Sequence, residues 1–465
     1  MQKISSEGRF VVEKYLYSNI CEISEYQYDV IVVGGGTAGC IAAIAAVTEG
    51  ARTLLIEKNI FLGGTATGGQ VTPMMSPGIP EEAELSYINK LVKKRLLEQQ
   101  YGAADPYGND GWFNPEMLKF TAEDIYMERG GRLLYDTQFI DVIVENSTIK
   151  GLVIYNKGSL QAVKGKVIID CSGDAVVAHS AGVPCLTGDE IMHQNQASSL
   201  RFMVGNVDIP GVQEHMKRIG EPMVLEYPFL EISSVWDSPR PLTGIFQKAV
   251  EDGVLTYDDG RYFQAFSVPG MPGVVSFNCP EIPGIYNTLD PDSITGIAVT
   301  GKKMISRLYT FLKKYIEGFK NSYILSVASV PGIRESRRIQ GKYVLTEEDY
   351  NNRAKFDDAI ARTAYPVDIH GLIDEKKLDI RPFQKGEYFE IPFRCLVTGE
   401  IDNLLVGGRC ISSSFVAQSS VRIQATCRAT GEAAGIAAAY CSKEGITVGE
   451  LDGKIVREKM LEKSL

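Results

Sequence analysis

The stretch YDVIVVGGGTAGCIAAIAAV spans residues 28–47, and the stretch ARTLLIE follows it at residues 51–57. An apolar run that enters a glycine cluster and then an alanine-rich segment is typical of a buried strand, a tight turn and a helix. Gly34, Gly36 and Gly39 fit the pattern G-x-G-x-x-G at this turn. In that pattern the glycines permit the turn, the close approach of a pyrophosphate and the packing of helix against strand. The sequence therefore predicts a dinucleotide site at the start of an α/β fold.

The second predicted strand ends on a carboxylate, Glu57, which can accept hydrogen bonds from both ribose hydroxyls of a dinucleotide. A nicotinamide or a flavin dinucleotide would satisfy the pattern up to this point. The next segment, NIFLGGTATGG at residues 59–69, adds a second glycine loop close to that carboxylate, and this loop favours a flavin. The further candidate contacts to the dinucleotide in these segments are Thr37, Ala38, Lys58, Gly63, Gly64, Thr65 and Thr67.

Composition limits the class of protein. The 465 residues include 48 basic and 58 acidic side chains, which gives a formal net charge of −10. This balance argues against a nucleic-acid or anionic-membrane surface as the main partner, and the length favours two domains. The N-terminus has no apolar core of a signal peptide, and glycines interrupt the longest apolar run. We therefore expect a cytoplasmic protein without a membrane span.

Residue types with metal or nucleophilic chemistry are scattered. The nine cysteines form no CxxC pair and the four histidines have no metal-ligand spacing, so we predict no metal site and no iron–sulfur cluster. Such cysteines are typical of buried, inert thiols in a cytosolic protein. The chain has no P-loop, no HExxH helix and no Ser–His–Asp arrangement, which argues against kinase and hydrolase functions.

The order of the predicted strands and helices along the chain indicates an α/β protein with a second, α+β part. Residues 1–27 are interpreted as an N-terminal extension. Residues 28–195 are predicted to form the first part of a three-layer, Rossmann-like domain, because β-rich runs and a further glycine turn follow the first strand–helix–strand unit. Residues 196–325 have proline-rich turns and no βαβ alternation, and they are predicted to form an α+β cap or substrate domain. Residues 326–465 would complete the first domain and end in a long helix.

Four stretches together resemble a known family of FAD-dependent oxidoreductases. This family is related to the fumarate reductase and succinate dehydrogenase flavoproteins, and the likeness is strongest to a bacterial branch that includes the heterodisulfide reductase A-type flavoproteins. The likeness extends over residues 28–442. The stretches that carry it are the glycine-rich segment above, VIIDCSGDAVVAHSAGVP at 167–184, GIRESRRIQGKYVLTEEDY at 332–350 and EIPFRCLVTGEIDNLLVGGRCISSSFVAQSSVRIQATCRATGEAAG at 390–435.

The resemblance implies FAD and a Rossmann-like fold with an inserted β-meander. It implies that Phe139 holds the adenine side by its backbone and that SSVRIQ presents N–H groups of a helix start to the flavin ring. The chain departs from these relatives in having no counterpart of the clustered cysteines of heterodisulfide reductases or of the flavin-linking histidines of respiratory complexes, so we expect FAD to be bound without a covalent link. The contacts implied beyond the glycine-rich segment are Phe139, Cys171, Ser172, Gly173, Asp174, Gly408, Arg409, Val421, Arg422 and Ile423.

Arginines are candidates for the substrate site, because a guanidinium suits bidentate recognition of a carboxylate. Arg334 and Arg338 lie in GIRESRRIQG and are interpreted either as a solvated or salt-bridged face or as an anion site. Arg394 in EIPFRCL is interpreted either as a core pair or as an active-site residue. Arg422 follows the predicted flavin loop and is a candidate on that ground.

Two histidines are candidate proton carriers, since histidine titrates near neutral pH. His370 follows Asp368, which could orient it, and precedes Gly371. His193 lies at the predicted entry to the cap domain. A structural role for either histidine is the alternative.

These features favour hydride transfer between flavin N5 and a small polar metabolite, by oxidation of an alcohol or amine or by reduction of an activated double bond. The electron donor or acceptor is not specified by the sequence, and a homo-oligomer is compatible with it. The first alternative is an electron-transfer subunit that passes electrons to a partner protein. The second is a protein that retains FAD as a structural ligand only.

Overall fold

The computed structural model describes residues 3–4, 10–11, 28–80, 83–221, 225–236, 238, 240–284, 286–371 and 378–464. The strands are β1 (Lys3–Ile4), β2 (Phe10–Val11), β3 (Tyr28–Val33), β4 (Thr53–Ile56), β5 (Gly102–Ala103), β6 (Trp112–Phe113), β7 (Arg132–Leu134), β8 (Gln138–Glu145), β9 (Thr148–Asn156), β10 (Ser159–Val163), β11 (Gly165–Asp170), β12 (Cys185–Thr187), β13 (Phe202–Gly205), β14 (Glu231–Val235), β15 (Tyr262–Ser267), β16 (Val275–Phe277), β17 (Tyr323–Val327), β18 (Arg337–Ile339), β19 (Ala359–Thr363), β20 (Phe389–Pro392) and β21 (Leu404–Val406). The helices are α1 (Gly39–Thr48), α2 (Tyr87–Glu98), α3 (Pro115–Glu128), α4 (Val176–Ser180), α5 (Ile209–Ile219), α6 (Pro241–Glu251), α7 (Pro291–Tyr315), α8 (Glu347–Asn351), α9 (Phe415–Val421), α10 (Gln424–Glu444) and α11 (Gly453–Ser464).

The central sheet has five parallel strands in the order β7-β4-β3-β11-β21. Counted along the chain within the sheet, this order is 3-2-1-4-5, which matches the doubly wound dinucleotide-binding fold. Strands β4 and β21 are buried along their whole length, as apolar strands covered on both faces should be. The strand order reverses between β3 and β11, where such folds bind their ligand. The predicted Rossmann-like fold is therefore confirmed.

Helices α1 and α10 form a layer against this sheet and pack closely on one another. A Cβ at Gly431 would lie 2.2 Å from the carbonyl oxygen of Ala38, and a Cβ at Gly435 would lie 2.2 Å from that of Ala42. Glycine is therefore required at both positions of α10, because any side chain would separate the two helices. The close packing holds the start of α1, and with it the glycine turn, in a fixed position.

The predicted β-meander follows α3 and forms the antiparallel sheet β10-β9-β8. Helix α3 begins after Asn114, which caps it by accepting hydrogen bonds from the N–H groups of Glu116 and Met117. Helix α2 begins after its capping residue Ser86, whose hydroxyl accepts a hydrogen bond from the N–H of Asn89.

A second sheet of five antiparallel strands, β14-β15-β16-β13-β17, carries its own core together with α5, α6 and α7. Phe202 stacks on Phe277 at the centre of this core, with ring centroids 4.5 Å apart. This sheet and its helices lie in the part of the chain for which a cap domain at 196–325 is predicted. Its predicted end falls within β17, whose Val327 still pairs with Phe202.

Of the predicted extension at residues 1–27, only β1 and β2 are among the described residues, and they pair with each other as an antiparallel hairpin. Cys21 lies outside the described residues. Of the eight cysteines in the described part, seven are buried, Cys185 is half-buried and all eight are free thiols.

Candidate functional site

A cleft of about 520 Å³ opens at the carboxyl ends of the parallel strands, where the strand order reverses. Its walls come from the turn after β3, the end of β4, the start of β8, the turn after β11 and the segment after β21. The predicted cofactor contacts that line it are Gly34, Gly36, Thr37, Ala38, Glu57, Lys58, Gly64, Thr65, Phe139, Cys171, Ser172, Gly173, Asp174, Gly408, Arg409 and Arg422.

The three motif glycines play different parts in this cleft. Gly34 has a φ of +94°, and a Cβ there would lie 2.6 Å from the carbonyl oxygen of Cys171. A Cβ on Gly39 would lie 1.7 Å from the carbonyl oxygen of Gly34. A Cβ on Gly36 would meet no atom within 4 Å, so the missing side chain leaves open space in the cleft. Two glycines therefore hold the fold, and the middle one makes room for a ligand.

Glu57 is buried at the end of β4 with its carboxylate already fixed. Its Oε2 accepts a hydrogen bond of 2.7 Å from the N–H of Gly35, and its Oε1 accepts bonds of 2.8 and 2.7 Å from the backbone and side-chain nitrogens of Asn59. Three of the four lone pairs of the carboxylate are thereby used, and Oε2 keeps one with which Glu57 can accept a ribose hydroxyl proton.

The turn after β11 is organised by Asp170, a residue that the sequence interpretation missed. This buried carboxylate accepts hydrogen bonds from the N–H and hydroxyl of Ser172 at 3.0 and 2.6 Å, and from the N–H groups of Val177 and Ala178 at 2.8 and 3.0 Å. It therefore fixes the cleft-lining turn at residues 171–174. An aspartate at the end of a strand, before a short helix, was the available signal.

Arg409 joins the two parts of the parallel-sheet domain across the cleft. Its Nη2 donates to Oδ1 of Asp174 over 3.2 Å, and its Nη1 donates to the carbonyl oxygen of Ile333. Ser336 donates to the same Asp174 oxygen over 2.7 Å. The segment that contains Ile333 and Ser336 is thereby held against the cleft wall.

The segment SSVRIQ spans the end of α9 and the start of α10, so a helix start lies within it as predicted. Val421 is the last residue of α9, is buried and lines neither cavity, while α10 begins only at Gln424. Between them, Arg422 and Gln424 face the cleft, and the Nε of Arg422 and the Oε1 of Gln424 are buried without a hydrogen-bond partner. Buried polar atoms are rarely left in this state, so these two atoms fit a ring ligand that would bond them.

Three further predicted contacts support the cleft from behind and do not line it. Thr67 donates to the carbonyl oxygen of Leu62 over 2.6 Å, and Thr37 donates to that of Gly63 over 3.2 Å. Gly63 has a φ of +91°, with Thr67 packed where its side chain would be. Thr67, Gly63 and the motif residue Gly39 therefore shape the glycine loops rather than contact a ligand.

A second cavity of about 380 Å³ adjoins the cleft, between the parallel-sheet domain and the second sheet. We call it the chamber. The chamber and the cleft share a wall, and the predicted contact Ile423 lines the chamber only. The residues of the shared wall are Thr65, Ile333, Arg409, Arg422 and Gln424.

One side of the chamber carries a row of side chains in which basic and acidic residues alternate. The Nη2 of Arg334 lies 3.9 Å from Oε2 of Glu281, and the same oxygen lies 2.7 Å from Nδ1 of His370. The Nε2 of His370 lies 3.1 Å from Oδ1 of Asp368, whose Oδ2 accepts a bond of 3.0 Å from Arg422. Burial raises the pKa of Asp368, but the hydrogen bond from His370 and the charge of Arg422 outweigh it, so the pKa lies well below its usual range. Asp368 is therefore ionised at neutral pH.

The second sheet contributes a polar wall to the chamber, next to His370, since the ring centroids of Tyr262 and His370 lie 5.2 Å apart. Asn278 donates to the hydroxyl of Tyr262 over 3.0 Å and to Oε1 of Gln264 over 2.8 Å, and Tyr262 donates to the same Gln264 oxygen over 2.7 Å. Burial raises the pKa of Tyr262, and it raises that of Tyr365 to about 12. Both phenols are therefore protonated donors. No local sequence motif marks these residues, because they meet only through the tertiary fold.

The structure corrects two of the predicted catalytic residues. Arg394 lines neither the cleft nor the chamber; its side chain is 47% exposed and its Nε donates to Asp358 over 3.0 Å. His193 is exposed in a loop, where its N–H donates to the carbonyl oxygen of Asp189 over 3.0 Å. Arg338, the alternative to Arg334, is buried against Glu335 and is structural. The candidates that remain in the chamber are Arg334, Arg422 and His370.

Within the described ranges, no group of three or more histidine, cysteine, aspartate or glutamate side chains could hold a metal ion. In the same part of the chain, none of the helices combines the length and apolarity that crossing a membrane requires.

Comparison with known families identifies the class of protein. The family model described as FAD dependent oxidoreductase matches residues 29–460, so the chain belongs to this family. The protein is therefore an FAD-dependent oxidoreductase with FAD as its cofactor. The predicted cofactor and enzyme class are confirmed.

Individual relatives match only part of the chain. The tRNA uridine 5-carboxymethylaminomethyl modification enzyme MnmG of Alkaliphilus metalliredigens is 25% identical over 239 residues, 44% of this chain and 36% of that protein. The digeranylgeranylglycerophospholipid reductase of Thermoplasma volcanium is 28% identical over 199 residues, 39% of this chain and 48% of that protein. The chain thus spans less than half of these two relatives. Neither is a fumarate reductase or a heterodisulfide reductase, so that more specific relation stays a prediction.

Among solved structures, p-nitrophenol 4-monooxygenase PnpA from Pseudomonas putida DLL-E4 aligns with a TM-score of 0.49 and 10% identity, over 95% of this chain and 88% of that one.

Proposed function

We propose that the protein transfers a hydride between FAD and a small polar metabolite that binds in the chamber. The observation that carries this proposal is the shared wall between the FAD cleft and a separate, charged chamber. At about 380 Å³ the chamber lies in the size range of small-molecule sites. A substrate there would lie directly against the part of the cleft that Arg422 and Gln424 form.

The cleft residues fit the parts of FAD. The open space at Gly36 suits a pyrophosphate next to the start of α1, and Glu57 suits the ribose. The buried and unbonded atoms of Arg422 and Gln424 suit the polar edge of the flavin ring. When bound, FAD supplies a two-electron acceptor or donor that exchanges a hydride with a substrate carbon.

The chain itself must move the proton that accompanies the hydride. His370 lies between two carboxylate oxygens, and it donates to both only when both of its ring nitrogens carry protons. We propose that this proton passes between the substrate and the Asp368–His370 pair, in the direction that the reaction requires. Tyr365, protonated at neutral pH, would orient the substrate by a hydrogen bond.

We propose that FAD is bound without a covalent link. Cys171 and Cys427 are the cysteines that line the cleft within the described residues. Burial raises the pKa of Cys427 to about 12 and the pKa of Cys171 well above its ordinary value. Both are therefore thiols, which are poor nucleophiles compared with thiolates.

The alternative of an electron-transfer subunit is not favoured. An electron-transfer module needs an accessible flavin edge, whereas here a polar chamber lined by thirteen hydrogen-bonding side chains adjoins the cleft. Such a wall is useful to an enzyme that must recognise a substrate. The direction of the reaction is left open by these residues.

The proposal is tested with the purified protein and its visible absorption spectrum, before and after acid precipitation. A yellow protein that releases FAD into the supernatant is expected. Yellow colour in the pellet would contradict the non-covalent link. The holoenzyme is then screened without oxygen against alcohols, amines and activated alkenes, the last after prior reduction of the flavin. A change in flavin redox state with one compound class is expected, and failure with all classes would contradict hydride transfer.

A further inference from the structure

Arg201 stands out among the arginines of the chamber. It precedes β13, is only 6% exposed and lines the chamber. Its Nη1 donates to the carbonyl oxygens of Gln70 and Thr72 over 3.1 and 3.2 Å, and these two bonds hold the guanidinium in place. Its remaining N–H groups make no hydrogen bond to the described residues, so part of a fixed fork is free to bind a ligand.

The other chamber arginines each have a carboxylate partner. Arg334 lies 3.9 Å from Glu281, and Arg409 and Arg422 lie 3.2 and 3.0 Å from their aspartate partners. Arg201 forms no ion pair with any acidic residue in the described part of the chain. Burial lowers the pKa of Arg201 to about 10, which still leaves it charged at neutral pH. A buried charge without a counter-ion is costly, so a site of this kind favours an anion.

The size and charge of this site limit which class of anion it can bind. The guanidinium fork suits carboxylate and phosphate geometry alike. One guanidinium without a partner balances a single negative charge, which a carboxylate carries and a phosphate monoester exceeds at neutral pH. The chamber also offers neutral hydrogen-bond donors and acceptors around Tyr262 and Asn278, which suit the remainder of a small organic molecule.

We propose that Arg201 binds the carboxylate of a small organic acid, which is the substrate in the chamber. This inference rests on the proposed function, because it identifies the chemical class of the same substrate. Arg201 anchors one end of the molecule at the second sheet. The Asp368–His370 pair faces the chamber from the other domain, and the reacting carbon lies between them, next to the shared wall with the FAD cleft.

The test uses the holoenzyme and pairs of compounds that differ in one group: propionate and propionamide, glycolate and glycolamide, benzoate and benzamide. Binding is measured from the change in the flavin spectrum and from thermal stabilisation. We expect at least one acid to bind with a Kd lower than that of its amide by about tenfold or more. Equal binding of acids and amides would overturn the proposal, and so would equal binding of inorganic sulfate or phosphate.

The variants R201Q and R201K locate the effect. R201Q should raise the Kd for the acid to that of the amide, and R201K should fall between, because a lysine keeps the charge but not the fork. The matched control is R132Q, since Arg132 is exposed on β7 and lines neither cavity. Unchanged acid binding by a folded, FAD-containing R201Q would overturn the assignment. If R201Q does not fold, the acid–amide comparison on the natural protein still tests whether the chamber prefers a carboxylate.

The two proposals fail in different ways. One possible result is that acids bind to the holoenzyme through Arg201 but no compound reduces or oxidises its flavin. This result would contradict hydride transfer and leave the role of Arg201 intact. A substrate without a carboxylate, together with no preference for acids, would contradict the anchor and leave hydride transfer intact.

Discussion

The imidazole of His370 lies 2.7 Å from a carboxylate oxygen of Glu281, and this contact joins two parts of the chain that are 89 residues apart. Glu281 follows β16 of the second sheet, whereas His370 lies in the segment between β19 and β20. Burial raises the pKa of Glu281, but the hydrogen bond that it accepts from His370 and the charge of Arg334 outweigh burial and hold the pKa below its ordinary value. The pair therefore connects the second sheet to the parallel-sheet domain beside the shared wall of the two cavities.

Replacing His370 with asparagine should slow the reaction without loss of FAD. Asparagine can bond the same carboxylates but cannot carry the proton, and general acid–base groups contribute about 100-fold or more to a rate. The measurement is the rate of flavin reduction or oxidation with the substrate from the anaerobic screen, together with FAD content. H179N is the control, because His179 is exposed at the end of α4. A normal rate in H370N would remove His370 from the mechanism.

The variant G36V should fold but bind little FAD. A Cβ at this position meets no atom within 4 Å, so the valine side chain occupies the open cleft and leaves the rest of the fold in place. We expect FAD content to fall by about tenfold or more, with the melting temperature of the apoprotein unchanged. The measurement is the ratio of flavin to protein absorbance, with calorimetry on FAD-free samples of both proteins.

The variant G39V is the matched comparison for G36V. Its Cβ would lie 1.7 Å from a carbonyl oxygen, so the backbone of the turn must move. We expect a loss of about 3 kcal/mol or more in the free energy of unfolding, even without FAD. Equal stability of the two apoproteins would contradict the different roles assigned to the two glycines.

Glu432 makes the stability of the protein depend on pH. This buried side chain on α10 accepts bonds of 2.5 Å from the hydroxyl of Ser86 and 2.9 Å from the N–H of Ile88, while its Oε1 has no partner. Burial raises its pKa to about 7 from an ordinary value of 4.5. Because the folded state favours the protonated form, this stabilisation is complete below about pH 4.5 and is lost as the pH rises to about 7.

The expected size of that effect is roughly 3 kcal/mol in the free energy of unfolding, from a shift of about 2.5 pKa units. E432Q should remove this part of the pH dependence, because glutamine does not titrate. The measurement is chemical denaturation between about pH 5 and about pH 8. E98Q should retain the slope, since the side chain of Glu98 is 63% exposed. An unchanged slope in E432Q would show that Glu432 is ionised in the folded protein.

Local patterns were sufficient to predict most of the residues that line the cleft, but not those that line the chamber. Gly36, Glu57 and the turn at 171–174 belong to motifs in which each residue serves a part of the fold or ligand that lies close along the chain. Arg201 precedes β13 and Tyr262 is the first residue of β15, and only the tertiary fold brings them together at the chamber. Such long-range contacts leave no mark in a single sequence.

The error at Arg394 has a similar origin. The apolar neighbours of Arg394 suggested either a core pair or an active-site arginine. In the fold those neighbours belong to β20 and to the short turn that follows it, and they are buried. Arg394 itself extends to the surface and pairs with Asp358. One side chain can thus be exposed within an apolar stretch, because the turn directs successive residues to different sides.

The variants R394A and R422A should therefore differ sharply in function. Arg394 is about half exposed, and a surface ion pair contributes about 0–1 kcal/mol, so R394A should keep FAD content and activity and lose little stability. Arg422 lines both cavities, and its Nη2 donates to the backbone and side-chain oxygens of Asp368 at 2.9 and 3.0 Å. R422A would remove that charge and free Asp368 to move, so activity should fall by about 100-fold. The measurement is activity per bound FAD, with the flavin spectrum of each variant. Equal activity of the two variants would contradict the place of Arg422 between cofactor and substrate.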